Sequence, residues 1–231
     1  MNFIGIDISL NSTAIFIENE HIMKIISVTN KNDNNIYIKE LDRYGVIFHH
    51  HNREISKNYS KNEILKLKHY NMLSNLIVND IKKFINMNEK TYCQIEGYSF
   101  SKNTSSILDI VGYSTLIRIG LLNNIDNIDI SIISPSTLKL ETCKLIYEPI
   151  NVGIKKPKYE YRNNQGLSGG SFKKPDMYRA MLDGRVKSPI YDMLKSYEHL
   201  LERDKIPNPI EDIIDSIFAC KIKMKEILND N

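Results

Sequence analysis

The chain begins with three short apolar segments that lie too close together for helices to connect them. Residues 3–8, 13–17 and 22–28 are rich in β-branched side chains, and short polar turns separate them. Such segments favour strands, and connections of this length join antiparallel neighbours. The start of the chain therefore predicts a three-stranded antiparallel meander.

The rest of the chain alternates between helical and strand-like patterns. Apolar residues recur at spacings of three and four from Asn62 to Phe84, and a second helical segment covers residues 104–122. Strand-like segments occupy residues 92–96 and 128–133. Because parallel strands need long crossovers, which helices usually provide, we expect an α/β fold. The predicted architecture is a mixed five-stranded sheet with helices on both faces.

Three regions interrupt this alternation. Residues 146–172 contain several Pro and Gly residues and predict a loop or flexible insertion, and residues 189–208 form a second extension. Residues 29–62 are rich in Asn and Lys, with one candidate edge strand near 44–48. The length of 231 residues favours a single domain, residues 1–231, that carries the two insertions.

The composition excludes several classes of protein. With 42% hydrophobic and 26% charged residues, the chain is neither disordered nor collagenous. No apolar run approaches the roughly 18 residues of a membrane span, and the first residues lack the basic region of a secretory signal. The cysteines, Cys93, Cys143 and Cys220, are odd in number and widely spaced, which indicates a reducing environment. We expect no membrane partner and a cytoplasmic location, in the host cell if the source is viral.

Four carboxylates lie at positions that a packed core does not explain. Asp7 lies within the first apolar strand, Glu96 ends the strand at 92–96, and Asp212 and Asp215 share one face of the last helix. A buried charge costs several kcal/mol unless it is paired or bound to a cation. If the two strands are neighbours and the helix packs over their ends, the acids converge. Mg²⁺ or Mn²⁺ would relieve their repulsion.

Each acid alone has a simpler interpretation. Asp7 could cap a turn to Ser9 or Asn11, and Asp212 and Asp215 could stabilise a helix N-terminus through its dipole. The order of the four acids favours the functional interpretation. A strand-end Asp, a strand-end Glu and a helical Asp-x-x-Asp pair suit two-metal hydrolysis of a phosphodiester.

Residues 153–174 combine cations with aromatic rings. The basic residues are Lys155, Lys156, Lys158, Arg162, Lys173 and Lys174. Glu160 is the only acid in this segment. Three rings lie between the cations: Tyr159, Tyr161 and Phe172. Cations bind phosphates and rings stack on bases, so the segment predicts contact with nucleic acid. A solvated loop is the alternative.

These motifs together resemble a known family. The segments at residues 5–9 (GIDIS), 95–100 (IEGYSF) and 212–216 (DIIDS) stand in the order found in RuvC-like Holliday junction resolvases of the RNase H-like superfamily. Residues 134–139 (SPSTLK) resemble the family segment after the fifth strand. Residues 172–178 (FKKPDMY) resemble the lysine-rich helix start of phage and poxvirus members.

The resemblance implies an RNase H-like fold and a metal-dependent endodeoxyribonuclease. Such an enzyme resolves four-way DNA junctions by paired symmetric nicks and acts as a homodimer. Two Mg²⁺ ions, or Mn²⁺ in their place, would be held by Asp7, Glu96, Asp212 and Asp215. Lys173 or Lys174 would stabilise charge on the phosphate, and we favour Lys174. Tyr98 and Phe100 flank Ser99, where bacterial members place an aromatic residue, so both are candidates to contact DNA bases.

Three other functions fit parts of the pattern. A related nuclease that cuts flaps, replication forks or RNA–DNA hybrids would use the same acids. A non-catalytic junction-binding protein would have no need of a cluster of repelling charges near phosphate. A sugar-kinase or actin-like ATPase also begins with a strand that carries Gly-x-Asp. That class needs a second phosphate loop and a Gly-rich adenosine site, and the chain has neither motif.

Overall fold

The computed structural model describes residues 1–32, 34–98, 104–153, 156–202 and 205–229. The strands are Asn2–Asp7 (β1), Ser12–Glu18 (β2), Met23–Thr29 (β3), Ile47–His50 (β4), Thr91–Glu96 (β5), Ile128–Ile133 (β6), Pro149–Asn151 (β7) and Tyr159–Tyr161 (β8). The α-helices are Ile36–Arg43 (α1), Tyr59–Phe84 (α2), Thr104–Asn124 (α3), Pro135–Ile146 (α4), Lys174–Asp183 (α5), Tyr191–Ser196 (α6) and Ile210–Asn229 (α7). Short 3₁₀ turns cover Gly169–Ser171 and Glu198–Glu202.

The main sheet has the strand order β4-β3-β2-β1-β5-β6. β1, β2 and β3 form the predicted antiparallel meander, whereas β5 pairs parallel to β1 and β6 pairs parallel to β5. The expected α/β class, with a mixed sheet and helices on both faces, is confirmed. The predicted count of five strands is wrong for the described chain, because β4 adds a sixth strand parallel to β3 at the edge.

The sequence pattern missed helix α1, which precedes β4. Its eight residues span only two turns, too few for a clear periodicity inside an Asn- and Lys-rich segment. Asn35 caps the helix by accepting a hydrogen bond from the backbone N–H of Tyr37, at 2.9 Å. Ile38 and Leu41 bury the inner face of the helix. The edge strand expected near residues 44–48 begins at Ile47.

Alternating side chains of the sheet divide the core into two clusters. Ile4 and Ile6 of β1 face a cluster formed with α2 and α3. Phe3 of β1 and Phe16 of β2 face the opposite cluster, which includes residues of α4, α5, α6 and α7. Because side chains alternate along a strand, the parity of a residue decides which layer of helices it faces. Asp7 therefore has the parity of Phe3 and faces the α7 side.

Helix α7 lies directly on strand β1, and a glycine makes this contact possible. A Cβ at Gly5 would lie 1.9 Å from the backbone oxygen of Ser216 and 2.5 Å from the backbone nitrogen of Cys220. No side chain fits at these distances, so the helix backbone approaches the strand only over a bare Cα. This contact holds the first turns of α7 near the end of β1.

The first insertion is more ordered than the sequence indicated. Residues 146–172, expected to be a loop or flexible segment, contain the antiparallel hairpin β7–β8. A Cβ at Gly169 would lie 2.7 Å from the Cα of Leu140, so the end of the insertion packs against α4. Phe172 is 2% exposed. The proposal that its ring offers a stacking surface is therefore wrong, because the ring fills the core beneath α4 and α5.

The second insertion, residues 189–208, contributes to the same core. It contains α6 and the second 3₁₀ turn. Met193, Leu194 and Leu200 are fully buried there. The apolar residues of this extension therefore complete the cluster beneath α7 and do not form a separate core.

The cysteines contribute small apolar surface to the core. Cys93, Cys143 and Cys220 are buried free thiols. Burial raises the pKa of the Cys93 thiol, which keeps it protonated. In the described part of the chain, none of the helices combines the length and the apolar character that crossing a bilayer requires.

We expect the substitution Gly5→Ala to destabilise the fold by at least about 3 kcal/mol, because the added methyl group forces α7 away from β1. Gly112→Ala is the matched control, since nothing lies within 4 Å of a Cβ at that position on α3. Alanine there should stabilise the helix by up to about 1 kcal/mol. Urea unfolding of the two variants measures both effects, and equal stability of Gly5→Ala and the parent would contradict the close contact.

Candidate metal centre

Two parallel strands bring the first pair of acids together. β1 and β5 are neighbours, and Ile6 pairs with Ile95 in their register. The next residue of each strand is an acid, Asp7 in β1 and Glu96 in β5. Because parallel strands end at the same edge of a sheet, the two carboxyl groups emerge side by side. Both have the parity that faces α7.

Helix α7 supplies the second pair from above. Asp212 is 4% exposed and Asp215 is 2% exposed, in the first two turns of the helix. Carboxylate oxygens of Asp7, Glu96 and Asp215 lie within 4.8 Å of one another. Asp212 lines the same cleft as Asp7 and Glu96. All four acids singled out from the sequence therefore meet at one edge of the sheet.

Asp212 carries an unsatisfied polar atom. Oδ2 of its carboxyl group is buried and has no hydrogen-bond partner among the described residues. A buried oxygen without a partner is costly. Asp212 lines the cleft with the other acids, so its Oδ2 is suitably placed to coordinate a cation bound there.

Burial and mutual repulsion raise the pKa of these carboxyl groups. For Asp7, burial is the main cause and the charges of Asp212 and Asp215 add to it, so its pKa lies well above the usual range. Burial, followed by the charge of Asp7, raises the pKa of Glu96 to about 10. The pKa of Asp212 rises to about 7 for the same main reason. Without a bound metal ion, the cluster retains protons at neutral pH.

The ammonium group of Lys174 lies inside this cluster of acids. Lys174 begins α5, and its ammonium group contacts Asp215 and lies 2.9 Å from Glu211. Burial alone would lower its pKa, but attraction to Asp215 and then Glu211 raises it overall. Lys174 is therefore firmly charged. The neighbouring Lys173 is exposed, and its backbone N–H donates to Asp176 at the start of α5.

The structure adds two residues to those singled out from the sequence. Glu211, the neighbour of Asp212 on α7, lines the cleft and holds Lys174. Lys139 of α4 also lines the cleft. Burial raises the pKa of Asp215, and the charge of Lys139 opposes part of that rise. Lys139 has no ion-pair partner among the described residues. Its position in the sequence could have indicated its place in the cleft. Lys139 lies one turn into the helix that follows β6, and that helix begins at the sheet edge where the acids meet.

The cleft encloses about 350 Å³ and has apolar as well as charged walls. Ile107 and Ile110 of α3 contribute apolar surface. Tyr98 lies at its rim, where its hydroxyl group accepts a hydrogen bond from Arg118 at 3.0 Å. Phe100, the second ring suggested for base contact, lies outside the described residues.

The basic segment is partly neutralised by its own acid. Lys158 pairs with Glu160 at 2.7 Å, and Arg162 pairs with the same carboxylate at 2.8 Å. Arg162 also donates to the backbone oxygen of Gly166, so its guanidinium group is held within the insertion. Lys156 is exposed, and no described residue pairs with it. Lys155 lies outside the described residues.

Comparisons with known proteins found distant structural similarity alone. No protein-family model and no curated protein matches the chain. Among solved structures, it is similar to T. thermophilus RuvC in complex with Holliday junction substrate, with a TM-score of 0.43 and 6% identity. It is also similar to a second Thermus thermophilus RuvC structure, with a TM-score of 0.43 and 8% identity. Each alignment covers 98% of this chain and 96% of the other. Similarity this distant is not evidence that this chain shares the function of those proteins.

The donor set fits a hard divalent cation. All four acids offer carboxylate oxygens, which Mg²⁺ and Mn²⁺ prefer, and no described His or Cys joins the cluster. The unpaired Oδ2 of Asp212 and the close approach of three carboxylates are both costly without such an ion. The structure therefore supports a metal centre on these residues.

We predict opposite effects of Asp7→Asn with and without metal. In EDTA the variant should unfold at a higher temperature than the parent, by about 2–4 °C for each kcal/mol that placing the Asp7 carboxyl group in this cluster costs. Added Mn²⁺ should stabilise the parent and have much less effect on the variant, because a ligand is lost. Glu54→Gln, at an exposed position, is the control and should behave like the parent in both conditions.

The same titration should depend on pH in a defined direction. The raised pKa values mean that Mn²⁺ displaces protons, so its affinity should increase between pH 6 and 8.5, about tenfold per pH unit for each proton displaced. Without metal, the folded state binds more protons than the unfolded state, so these groups make the protein less stable as pH rises. Affinity that is constant over this range would contradict a cluster that retains protons.

Proposed function

We propose that this chain is a metal-dependent endonuclease of the RuvC-like class that cuts branched DNA, four-way junctions above all, by paired symmetric nicks. The observation that carries the proposal is the convergence of Asp7, Glu96, Asp212 and Asp215 with Lys174 in one cleft. A purely structural cluster would pair each acid with a cation. Here two buried acids, two partly buried acids and Glu211 share the ammonium group of Lys174, which leaves negative charge for metal ions to balance.

The acids would hold two Mg²⁺ ions, for which Mn²⁺ can substitute. Bound there, the ions would supply Lewis-acid activation of the scissile phosphate and of water. The chain itself contributes the fixed positions of the carboxylates, which require no reorganisation because sheet and helix backbone hold them. Asp215 is buried on the side of α7 that faces the sheet, which excludes water and strengthens the electrostatic interactions inside the cleft.

Two lysines would act on the phosphate group. The ammonium group of Lys174 lies among the acids and would stabilise negative charge that develops on the phosphate oxygens. Lys139 reaches the same cleft from α4 and, without a described ion-pair partner, is available to orient the phosphate. The pKa of Lys174 is raised, so it remains charged at neutral pH and is not proposed to transfer a proton.

Branched DNA would contact the surface beside the cleft. The insertion packs against α4 through Gly169 and leads into α5, so it lies next to Lys139 and Lys174. Lys156 and the exposed ring of Tyr159 offer a phosphate contact and a stacking surface. Within this proposal, the chain is a single nuclease domain of the phage and poxvirus branch, located in the cytoplasm. It acts as a homodimer, because a two-fold enzyme matches a four-way junction.

We expect Mg²⁺-dependent cutting when the purified protein is incubated with labelled four-way junction, flap, duplex or RNA–DNA hybrid. EDTA and Asp7→Asn should each abolish it. Cutting of none of these substrates would refute the nuclease assignment. Preference for flaps or hybrids would keep the chemistry but replace the substrate, and tight junction binding without cutting would identify a non-catalytic junction-binding protein.

We predict that Lys174→Gln lowers kcat by about 10²-fold or more, because it removes a charge that faces the phosphate. Lys173→Gln is the matched control one residue away. Its exposed side chain should affect DNA affinity at most, so kcat at saturating DNA should match that of the parent. Single-turnover cleavage measures both values, and an equal loss in the two variants would contradict the placement of Lys174.

We further predict that Lys156→Gln weakens junction binding and reduces the slope of log Kd against log salt by about one, as loss of one phosphate contact requires. Lys39→Gln, on α1 at the other edge of the sheet, should leave the slope unchanged. Binding is measured without Mg²⁺ so that cutting does not interfere. Identical slopes for parent and Lys156→Gln would remove the insertion from the DNA surface.

A further inference from the structure

A second depression lies at the opposite end of α7 from the acids. This basic groove, of about 470 Å³, runs between the ends of α4, α5 and α7. Lys225 at its rim follows Asp212 by thirteen residues of helix, or about 20 Å along the axis. The groove is thus separate from the metal centre.

The basic groove combines an apolar floor with a cationic rim. Its apolar lining residues include Leu145, Ile146, Met224 and Leu228, and Leu228 is 52% exposed. The cations are Arg185, Lys187, Lys221 and Lys225, and no Asp or Glu lines the groove. Lys221 is neutralised by its ion pair with Glu18, but the other three cations have no acidic partner among the described residues. The basic groove therefore exposes both positive charge and apolar surface.

Arg185 occupies a backbone conformation that disfavours it. Its φ is 45°, the one positive φ found at a non-glycine residue in the described chain. It follows the end of α5, at the position where helices usually place glycine. Glycine stands one residue earlier instead, because a Cβ at Gly184 would lie 2.4 Å from Cδ1 of Ile146. An arginine kept at such a position points to a use for its charge.

We propose that the basic groove binds a short acidic segment of a partner protein that carries a bulky apolar side chain. The three cations without an acidic partner match acidic residues, although Lys225 also donates to the backbone oxygen of Lys144 at 3.4 Å, and the aliphatic floor matches the apolar side chain. The floor favours a peptide over nucleic acid, because phosphate contacts need cations but gain nothing from exposed Leu228. This inference does not depend on the nuclease proposal.

The test uses a fluorescein-labelled peptide of Asp and Glu residues around one Phe, titrated with the intact protein by fluorescence anisotropy. We expect saturable binding that weakens about tenfold or more in Lys187→Glu/Lys225→Glu. Lys156→Glu, on the hairpin β7–β8, is the control and should bind like the parent. Replacing Phe by Ser in the peptide should also weaken binding.

Arg185→Gly separates binding from folding. Glycine relieves the backbone conformation, so this variant should unfold at the same or a higher temperature than the parent, while it binds the peptide more weakly. No binding below millimolar concentrations would overturn the proposal, as would equal binding of the Ser peptide or an equal effect of Lys156→Glu. Displacement of the peptide by duplex DNA, with the same dependence on Lys187 and Lys225, would identify a nucleic-acid surface instead.

Discussion

The close contact between α7 and β1 is the constraint on which the site depends. At Gly5 the helix backbone lies so near the strand that even a methyl group has no room. Helix α7 therefore sits over the middle of the sheet, with its first turns above the ends of β1 and β5. If α7 lay farther from the sheet, Asp215 would be out of reach of Asp7 and Glu96. The carboxylate oxygens of the three residues lie within 4.8 Å of one another.

This placement works against stability in the absence of metal. Each acid is wholly or partly removed from water, and burial is the leading cause of the raised pKa of Asp7, Glu96 and Asp212. Lys174 offsets part of the repulsion, but one ammonium group cannot neutralise the four carboxyl groups of the cluster and Glu211. The protein holds together because two extensive apolar clusters clamp the sheet on both faces. The core thus stabilises a site that would not form by itself.

The sequence predicted the parts of the fold that depend on periodicity and parity. Asp7 and Glu96 end neighbouring strands on the same face, which alternation and the crossover rule are enough to indicate. Helix α1 was missed because two turns give little periodicity. Phe172 was misjudged because its burial depends on contacts with distant helices. Lys139 was not singled out: its place one turn into the helix after β6 put it near the acids, but the direction of its side chain into the cleft depends on how α4 packs.

The charges along α7 show why burial decides between interpretations. Acids at its first turn and lysines toward its end suit the helix dipole, an effect of about 0.3–1 kcal/mol, so the pattern alone is compatible with a structural role. The dipole does not require those acids to be buried. Asp212 leaves an oxygen unpaired in the interior, which costs more than the dipole returns. Lys225 at the other end remains in water. The acids at the buried end are therefore not explained by the dipole alone, and a bound cation would balance their charge.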